Sequence, residues 1–156
     1  MNFKSMYAIM ALAMGMSFVS CSDDEGGKSS SNEELTDTEM IVSGVWKSGE
    51  VINLDRHLVV PEGESLTIEP GVTVIVSDQG VGVNHVPIEI SVKGNLYVLG
   101  TESKPVTFSV SPSLRTKENT FAGLWGGIVA YESCTEMAID HAIIEYTGAQ
   151  VIEGSP

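Results

Sequence analysis

The sequence contains few positively charged residues. Its 156 residues include 8 lysines and arginines against 21 aspartates and glutamates, which gives a formal net charge of −13 at pH 7. Nucleic acids and anionic membrane surfaces are bound by clustered Lys and Arg side chains. The deficit of positive charge therefore argues against nucleic acid as a partner of this chain.

Motifs of common enzyme and metal sites are also missing. The three histidines, His57, His85 and His141, form neither an HExxH nor a His-x-His pattern, the spacings that zinc sites use. There is no Gly-x-Ser-x-Gly nucleophile elbow and no phosphate-binding loop. We therefore predict no catalytic residues and no cofactor, and favour a protein that is not an enzyme, while leaving enzymatic activity open.

Sustained helical periodicity is absent after residue 40. Apolar and polar residues instead alternate in short runs, among them residues 72–76, 88–92, 106–110 and 139–146. Gly, Pro, Asn, Asp or Ser bounds each run, and this pattern is typical of strands that are separated by turns. Regular short strands predict an all-β domain built as a sandwich, a barrel or a β-solenoid.

Two features favour the β-solenoid. Residues 63–71 and 94–100 each place a Leu-x-apolar pair between glycines, and no Asn-Gly or Asp-Gly pair, the usual two-residue hairpin turn, lies between neighbouring strands. In a solenoid each strand pairs with the equivalent strand one coil later, and the inward side chains stack into one continuous core. The inward side chains predicted here include Leu66, Ile68, Val74, Leu96, Val98, Val106 and Phe108.

The N-terminal segment combines Lys4 with an apolar run over residues 6–19, followed by Ser20 and Cys21. This arrangement is typical of an export signal, and the run is too short for a retained membrane span. Residues 18–21 (Phe-Val-Ser-Cys) resemble the lipobox of bacterial lipoproteins. The resemblance implies that residues 1–20 are a signal peptide and that acylated Cys21 anchors the protein in outer-membrane lipid. The alternative is an ordinary secretory signal that happens to contain a cysteine.

The four residues after Cys21 are polar and mostly acidic. Ser22, Asp23, Asp24 and Glu25 resemble the surface-export signal that follows the acylated cysteine in Bacteroidetes lipoproteins, although a solvated linker has the same composition. The resemblance implies an outer-membrane lipoprotein that faces the outside of the cell. With Cys21 acylated, Cys134 is the only remaining thiol, so no disulfide is expected within one chain.

The composition changes near residue 41. Residues 21–40 are acidic and rich in Ser and Gly, and such a segment cannot bury enough apolar surface to fold, so we predict a disordered tether. From Ile41 onward β-branched residues and glycines dominate. We predict one β-domain over residues 41–156, which is long enough for a single modest core.

Several stretches of the predicted domain resemble the right-handed parallel β-helix lipoproteins of Bacteroidetes, which are pectin-lyase-like. These stretches are residues 44–72, 100–108, 123–128 and 143–149. The resemblance implies a right-handed parallel β-helix. Because chains of this family normally continue for many more coils, it also implies an N-terminal portion whose β-helix is incomplete, and possible truncation, at the C-terminal end.

Aromatic and cationic side chains supply candidate ligand contacts. Trp125 and Tyr131 have the flat apolar faces that often anchor ligands, while Arg115 and Lys117 fall in an expected exposed loop over residues 111–120. The alternative for Trp125 is that its ring fills a corner of the coil stack. We predict these four residues as candidate contacts to an extracellular glycan or protein.

Residues 78–85 are the most loop-like polar stretch of the domain. Its oxygen donors Asp78 and Asn84 are the candidates for binding calcium, which prefers carboxylate and carbonyl ligands. The spacing of an EF-hand loop is missing, so an insertion between coils without a metal is the interpretation that we favour.

These observations predict a non-catalytic cell-surface lipoprotein whose β-helix binds an extracellular glycan or protein or serves as a spacer. One alternative is the N-terminal fragment of a β-helix polysaccharide lyase or glycoside hydrolase. A hydrolase needs two carboxylates about 5–9.5 Å apart, which stacking among Glu62, Glu64, Glu69 and Glu89 could provide. A second alternative is a nonfunctional remnant of a longer gene.

Overall fold

The structure is a computed structural model that describes residues 38–149. Within this range the chain forms twelve strands and one short 3-10 helix, Pro112–Leu114. No helix in the range is long and apolar enough to cross a membrane. The strands are β1 Glu39–Ile41, β2 Gly44–Trp46, β3 Val51–Leu54, β4 His57–Val60, β5 Ser65–Ile68, β6 Thr73–Val76, β7 Glu89–Val92, β8 Asn95–Leu99, β9 Val106–Val110, β10 Gly127–Ala130, β11 Met137–Asp140 and β12 Ala142–Ile144.

The strands assemble into three parallel sheets of four strands each. Sheet A contains β1, β4, β7 and β10, sheet B contains β2, β5, β8 and β11, and sheet C contains β3, β6, β9 and β12. Consecutive strands therefore pass through sheets A, B and C in turn, and every three strands complete one coil. The described chain has four coils, which we number 1 to 4. This arrangement is a parallel β-helix and confirms the fold class predicted from the sequence.

Alternate side chains point into the space that the three sheets enclose. Leu66 of β5 pairs with Leu96 of β8, and Val74 of β6 pairs with Phe108 of β9. All seven side chains that were predicted to face inward are buried. Because a fully buried aliphatic or aromatic side chain contributes about 1.5–3 kcal/mol, these stacked ladders are the main source of stability.

The glycines that punctuate the sequence occupy positions where a side chain does not fit. At Gly94, between sheets A and B, an added Cβ would collide with the carbonyl oxygens of Pro61 and Glu64 in the preceding coil. Gly63 has a φ of +77°, in the left-handed region that residues with a Cβ rarely adopt. Close contact between coils and left-handed turns thus explain why glycine recurs at the corners.

The sequence predicted one continuous strand over residues 139–146, and this was wrong. β11 ends at Asp140, and His141 has a φ of 46°, which turns the chain from sheet B into sheet C. Asp140 Oδ1 lies 2.7 Å from His141 Nδ1, so the two side chains meet instead of pointing to opposite faces. Glu145, which the alternation placed on the face of His141, accepts a hydrogen bond from Ser109.

The first strand among the described residues begins two positions before the predicted domain boundary at residue 41. β1 starts at Glu39, and Glu39 and Met40 pair with His57 and Leu58 of β4. The predicted signal peptide, Cys21 and residues 22–25 lie outside the described residues.

Candidate functional site

Two long connections project from one corner of the β-helix. Residues 77–88 link β6 to β7, and residues 111–126 link β9 to β10. Both pass from sheet C to sheet A, in successive coils, and we call them the C–A loops. Because long loops on a rigid scaffold are where binding residues concentrate, this corner is the candidate functional site.

The first C–A loop is closed by a pair of buried valines. Val81 and Val86 are buried, and their main chains exchange two hydrogen bonds with N–O distances of 2.8 and 2.9 Å. Between them, Val83 is 94% exposed. His85 Nδ1 lies 2.8 Å from the carbonyl oxygen of Gln79. The loop is therefore a tight projection with an apolar tip.

The second C–A loop is also held at its ends. Asn119 Nδ2 donates a hydrogen bond to the carbonyl oxygen of Leu114 at 2.8 Å, which ties the middle of the loop to its start. Trp125 is fully buried, and its Nε1 donates to the carbonyl oxygen of Glu145 at 2.8 Å. Between these anchors, Phe121 is 96% exposed. The second loop thus presents an aromatic ring to solvent.

The structure separates the candidate ligand contacts within this loop. Arg115 and Lys117 are exposed, and Arg115 Nε donates to the carbonyl oxygen of Val110 at 2.9 Å, which holds the guanidinium end of the side chain against the end of β9. Trp125 belongs to the core, so its ring is not accessible for stacking in this structure. The exposed side chains of the second C–A loop therefore include Phe121, Arg115 and Lys117, and they do not include Trp125.

Tyr131 lies apart from the C–A loops. It directly follows β10 and is half-buried, and Lys93 Nζ lies 5.8 Å from the centroid of its ring. Both residues stand where the chain leaves sheet A for sheet B, whereas the C–A loops stand where it enters sheet A. Tyr131 therefore does not share a surface corner with Arg115 and Lys117.

The calcium candidates Asp78 and Asn84 are both exposed in the first C–A loop. Asp78 Oδ1 accepts a hydrogen bond from Gln79 Nε2 at 3.0 Å. Among residues 38–149, no three His, Cys, Asp or Glu side chains are grouped closely enough to hold a metal ion. A cation at this loop would therefore depend on carbonyl oxygens in addition to Asp78.

The acidic residues considered for a hydrolytic pair are divided among three parts of the coils. Glu62 and Glu64 stand between β4 and β5, Glu69 follows β5, and Glu89 begins β7. Successive coils therefore do not present these carboxylates on one common face.

The Glu69 carboxylate accepts hydrogen bonds from the preceding coil. It accepts hydrogen bonds from Lys47 Nζ at 2.9 Å and from the Ser48 N–H at 3.0 Å. These bonds, the one from Lys47 foremost, lower the pKa of Glu69. A general acid for glycoside hydrolysis needs a raised pKa, so the environment of Glu69 has the opposite effect.

Other outward carboxylates also join neighbouring coils. Tyr97 Oη donates to Glu136 at 2.8 Å, and Ser109 Oγ donates to Glu145 at 2.9 Å. The bond to Glu136 raises the pKa of Tyr97. These contacts link coil 3 to coil 4 and leave the acids in structural positions.

Sequence reasoning did not identify Val83 and Phe121. An apolar residue in a loop can equally well be one that packs against the core, as Val81 does two positions before Val83. The spacing of residues in the loop does not distinguish the two cases. Only the three-dimensional position of the two loops shows which apolar side chains point into solvent.

The coil geometry defines this chain as a parallel β-helix protein. Residues 38–151 match the pectate-lyase-like beta helix domain, and the chain belongs to that family. Comparisons with curated proteins and with solved structures gave no match.

Proposed function

We propose that this protein is a cell-surface lipoprotein whose β-helix is a non-catalytic binding or structural module for an extracellular glycan or protein. The observation that carries the proposal is the corner formed by the C–A loops. Two anchored loops from successive coils present Val83 and Phe121 to solvent, and the second loop adds Arg115 and Lys117.

The chemistry of this corner differs from that of the rest of the chain. Aromatic and Arg side chains are enriched among the residues that dominate binding energy. Arg115 and Lys117 are two of only six basic residues after residue 40, in a chain with a net charge of −13. Phe121, Arg115 and Lys117 are all exposed in the second C–A loop, and this combination favours a ligand that joins an apolar face with negative charge, such as an acidic glycan or an acidic protein surface.

The binding role is tested by substitution at the loop tip. Purified protein is titrated with pectin-like and host glycans, with and without calcium. Loss of a central binding contact costs more than about 1 kcal/mol, so we expect Phe121→Ser to weaken binding by about fivefold or more. Ile143→Ser is the matched control, because Ile143 is an exposed apolar residue on sheet C. Equal binding by Phe121→Ser and Ile143→Ser would show that Phe121 is not a binding contact and would contradict the assignment of the binding site to the C–A loops.

The lipid anchor rests on the lipobox resemblance of residues 18–21 and on the acidic cluster of Ser22, Asp23, Asp24 and Glu25. Cells that are fed a labelled fatty acid should incorporate the label into the wild-type protein and lose it in Cys21→Ser. Cys134→Ser is the control and should keep the label. Label retained by Cys21→Ser would contradict anchoring at Cys21.

The family description favours a second candidate function, action on a pectate-like polysaccharide. The chain would then be the N-terminal part of a β-helix lyase or hydrolase. Incubation with pectin-like polysaccharide separates the two candidates. New reducing ends or unsaturated products would overturn the non-catalytic proposal, whereas saturable binding without cleavage supports it.

A further inference from the structure

The basic residues of the β-helix differ in whether a carboxylate neutralises them. Lys47 and Arg56 each place a nitrogen 2.9 Å from a carboxylate oxygen. Arg115 and Lys117, by contrast, form no ion pair within residues 38–149, although the chain has 21 acidic residues for 8 basic ones. The second C–A loop therefore carries two positive charges that no carboxylate of the described residues neutralises.

The acid that is nearest in sequence does not pair with these cations. Glu118 directly follows Lys117, but in the described part of the chain it forms an ion pair with neither Lys117 nor Arg115. Its carboxylate is instead stabilised by its own main-chain N–H and by the Thr116 side chain, which lower the pKa of Glu118. With two bases and one acid, residues 111–126 have a net charge of +1 in a chain whose net charge is −13. The second C–A loop is thus a positive site on an acidic molecule.

The guanidinium of Arg115 is held in a geometry that suits a planar anion. Its Nε donates to the carbonyl oxygen of Val110 at 2.9 Å, at the end of β9, while Nη1 and Nη2 make no hydrogen bond to residues 38–149. Because a guanidinium is planar, fixing Nε limits the orientation of the Nη groups, which can donate parallel hydrogen bonds to a carboxylate or sulfate. The ammonium of Lys117 is a point charge without this geometry. Arg115, and not Lys117, is therefore suited to recognise an individual anionic group.

The charge of the whole chain limits the kind of ligand that brings this anion. A net charge of −13 repels a polyanion or an acidic protein surface, because both carry many negative charges, and the repulsion acts over about 10 Å at 0.1 M salt. A glycan with an isolated acidic unit among neutral units brings one charge to the loop and avoids most of this repulsion. Phe121 is 96% exposed in the same loop, and its ring offers a neutral sugar unit an apolar face on which to pack.

We propose that Arg115 binds one carboxylate or sulfate group of a glycan whose neighbouring sugar units are neutral, and that Arg115 determines the preference of the second C–A loop for such a sparsely charged glycan. This inference rests on the binding role proposed for the C–A loops, and it narrows their ligand from acidic glycans and acidic protein surfaces in general. Lys117 contributes only attraction that does not depend on the geometry of the anion.

Three forms of one polysaccharide test the proposal by calorimetric titration of the full chain in mild detergent. Pectin whose carboxylates are mostly methyl-esterified carries isolated charges, pectate carries charges throughout, and carboxyl-reduced pectin carries none. We expect the wild type to bind the esterified pectin about tenfold more tightly than the carboxyl-reduced form, because only the first offers a charged partner to Arg115. Pectate should bind less tightly than the esterified pectin at low salt. A lightly sulfated neutral galactan shows whether sulfate can replace the carboxylate.

Arg115→Lys is the central variant, because it keeps the positive charge and removes the planar guanidinium. It should lose about tenfold in affinity for the esterified pectin and keep the wild-type affinity for the carboxyl-reduced form, which also shows that the loop is folded. Lys117→Gln should lose about twofold or less. Lys104→Gln is the matched control and should bind as the wild type does, because Lys104 is an exposed base between sheets B and C.

Two outcomes would overturn the inference and leave the binding role of the C–A loops intact. One is an Arg115→Lys variant that binds the esterified pectin as the wild type does, while Phe121→Ser still weakens binding. The other is pectate bound more tightly than the esterified pectin. Binding of a Glu-rich peptide as tight as that of the esterified pectin would assign the loop to an acidic protein surface. A wild type that binds none of these polysaccharides would contradict this inference and the proposed glycan-binding role together.

Discussion

Coil 3 and coil 4 place similar side chains at equivalent inward positions but bury them to different extents. Leu96 and Phe108 of coil 3 are 0% exposed, whereas their stacked partners Met137 and Ile144 in coil 4 are 41% exposed. The difference does not arise from the residues, which are all large and apolar. It arises because, within residues 38–149, coil 3 has a coil on each side and coil 4 has a coil on one side only. In a β-helix, burial is therefore determined by the neighbouring coil as much as by the residue itself.

The largest expected effect comes from truncating equivalent side chains in the two coils. Phe108→Ala should lower the free energy of unfolding by about 4 kcal/mol, because it leaves a cavity in a closed core. Ile144→Ala should lower it by about 1 kcal/mol, since the side chain is partly in water already and the end coil can relax. Urea unfolding followed by circular dichroism measures both values. Equal losses would show that coil 4 is covered in solution.

The glycines at the two faces of coil 3 sharpen the comparison. A Cβ at Gly94 would collide with coil 2, and one at Gly100 would collide with the carbonyl oxygens of Asp140 and His141 in coil 4. We expect Gly94→Ala to cost about 3 kcal/mol, because both coils that it separates are held in place. Gly100→Ala should cost about 1 kcal/mol, since the end coil can move away. The thermal midpoints of the two variants test this order, and a reversed order would show that coil 4 is the more rigid neighbour.

A smaller effect is expected from the hydrogen bond that joins the two coils. Ser109 is buried and donates to Glu145 at 2.9 Å. Ser109→Ala should lower the free energy of unfolding by about 1 kcal/mol, because Glu145 loses its partner. Thr107→Ala, on the same face of β9, is the control. If Ser109→Ala and Thr107→Ala unfold at the same urea concentration, the bond contributes nothing measurable.

The smallest expected effect depends on pH and lies between coils 2 and 3. His57 is buried, and its Nδ1 accepts a hydrogen bond from the Glu89 N–H at 3.1 Å. Burial lowers the pKa of His57 from its ordinary value of 6.5, while the nearby Glu39 carboxylate acts in the opposite direction. The neutral ring is thus favoured in the folded state. Its contribution to stability is complete above pH 6.5 and is lost as the pH falls through the lowered pKa.

The measurement is the free energy of unfolding at neutral and at mildly acidic pH. The wild type should lose stability on acidification, and His57→Gln should lose less. His141→Gln, which replaces an exposed histidine in coil 4, should retain the wild-type loss. An unchanged pH dependence in His57→Gln would assign the acid sensitivity to other groups.

The fold was predictable because its signals are local. Alternation over β5, β6, β8 and β9 identified the inward side chains, and every predicted core position, from Leu66 to Phe108, is buried. Glycines at the corners marked where strands end, since residues with a Cβ fit poorly at these positions. The number of residues per coil changes with the length of the C–A loops, and local alternation does not reveal it. The sheet to which each strand belongs was therefore not predicted from the sequence.

The errors came from single residues whose conformation depends on distant contacts. His141 lies in an apolar alternation that continues on both sides, and only stacking on Gly100 and Val106 requires a turn there. Trp125 had two interpretations by sequence, a ligand contact or a ring that fills a corner of the coil stack, with the second moderately preferred. Its burial and its Nε1 bond to Glu145, 20 residues away, place it in the core. Arg115 and Lys117 were placed in an exposed loop, and the structure agrees.

The bridge between Val81 and Val86 has a consequence for engineering. Because the two valines fix both ends of the first C–A loop in the core, the residues between them can be replaced by a foreign peptide without changing the path of either adjoining strand. Extending a flexible loop costs only about 0.6 kcal/mol for each doubling of its length. The position of Val83 is therefore suited to the insertion of a displayed peptide, and the β-helix serves as its rigid scaffold.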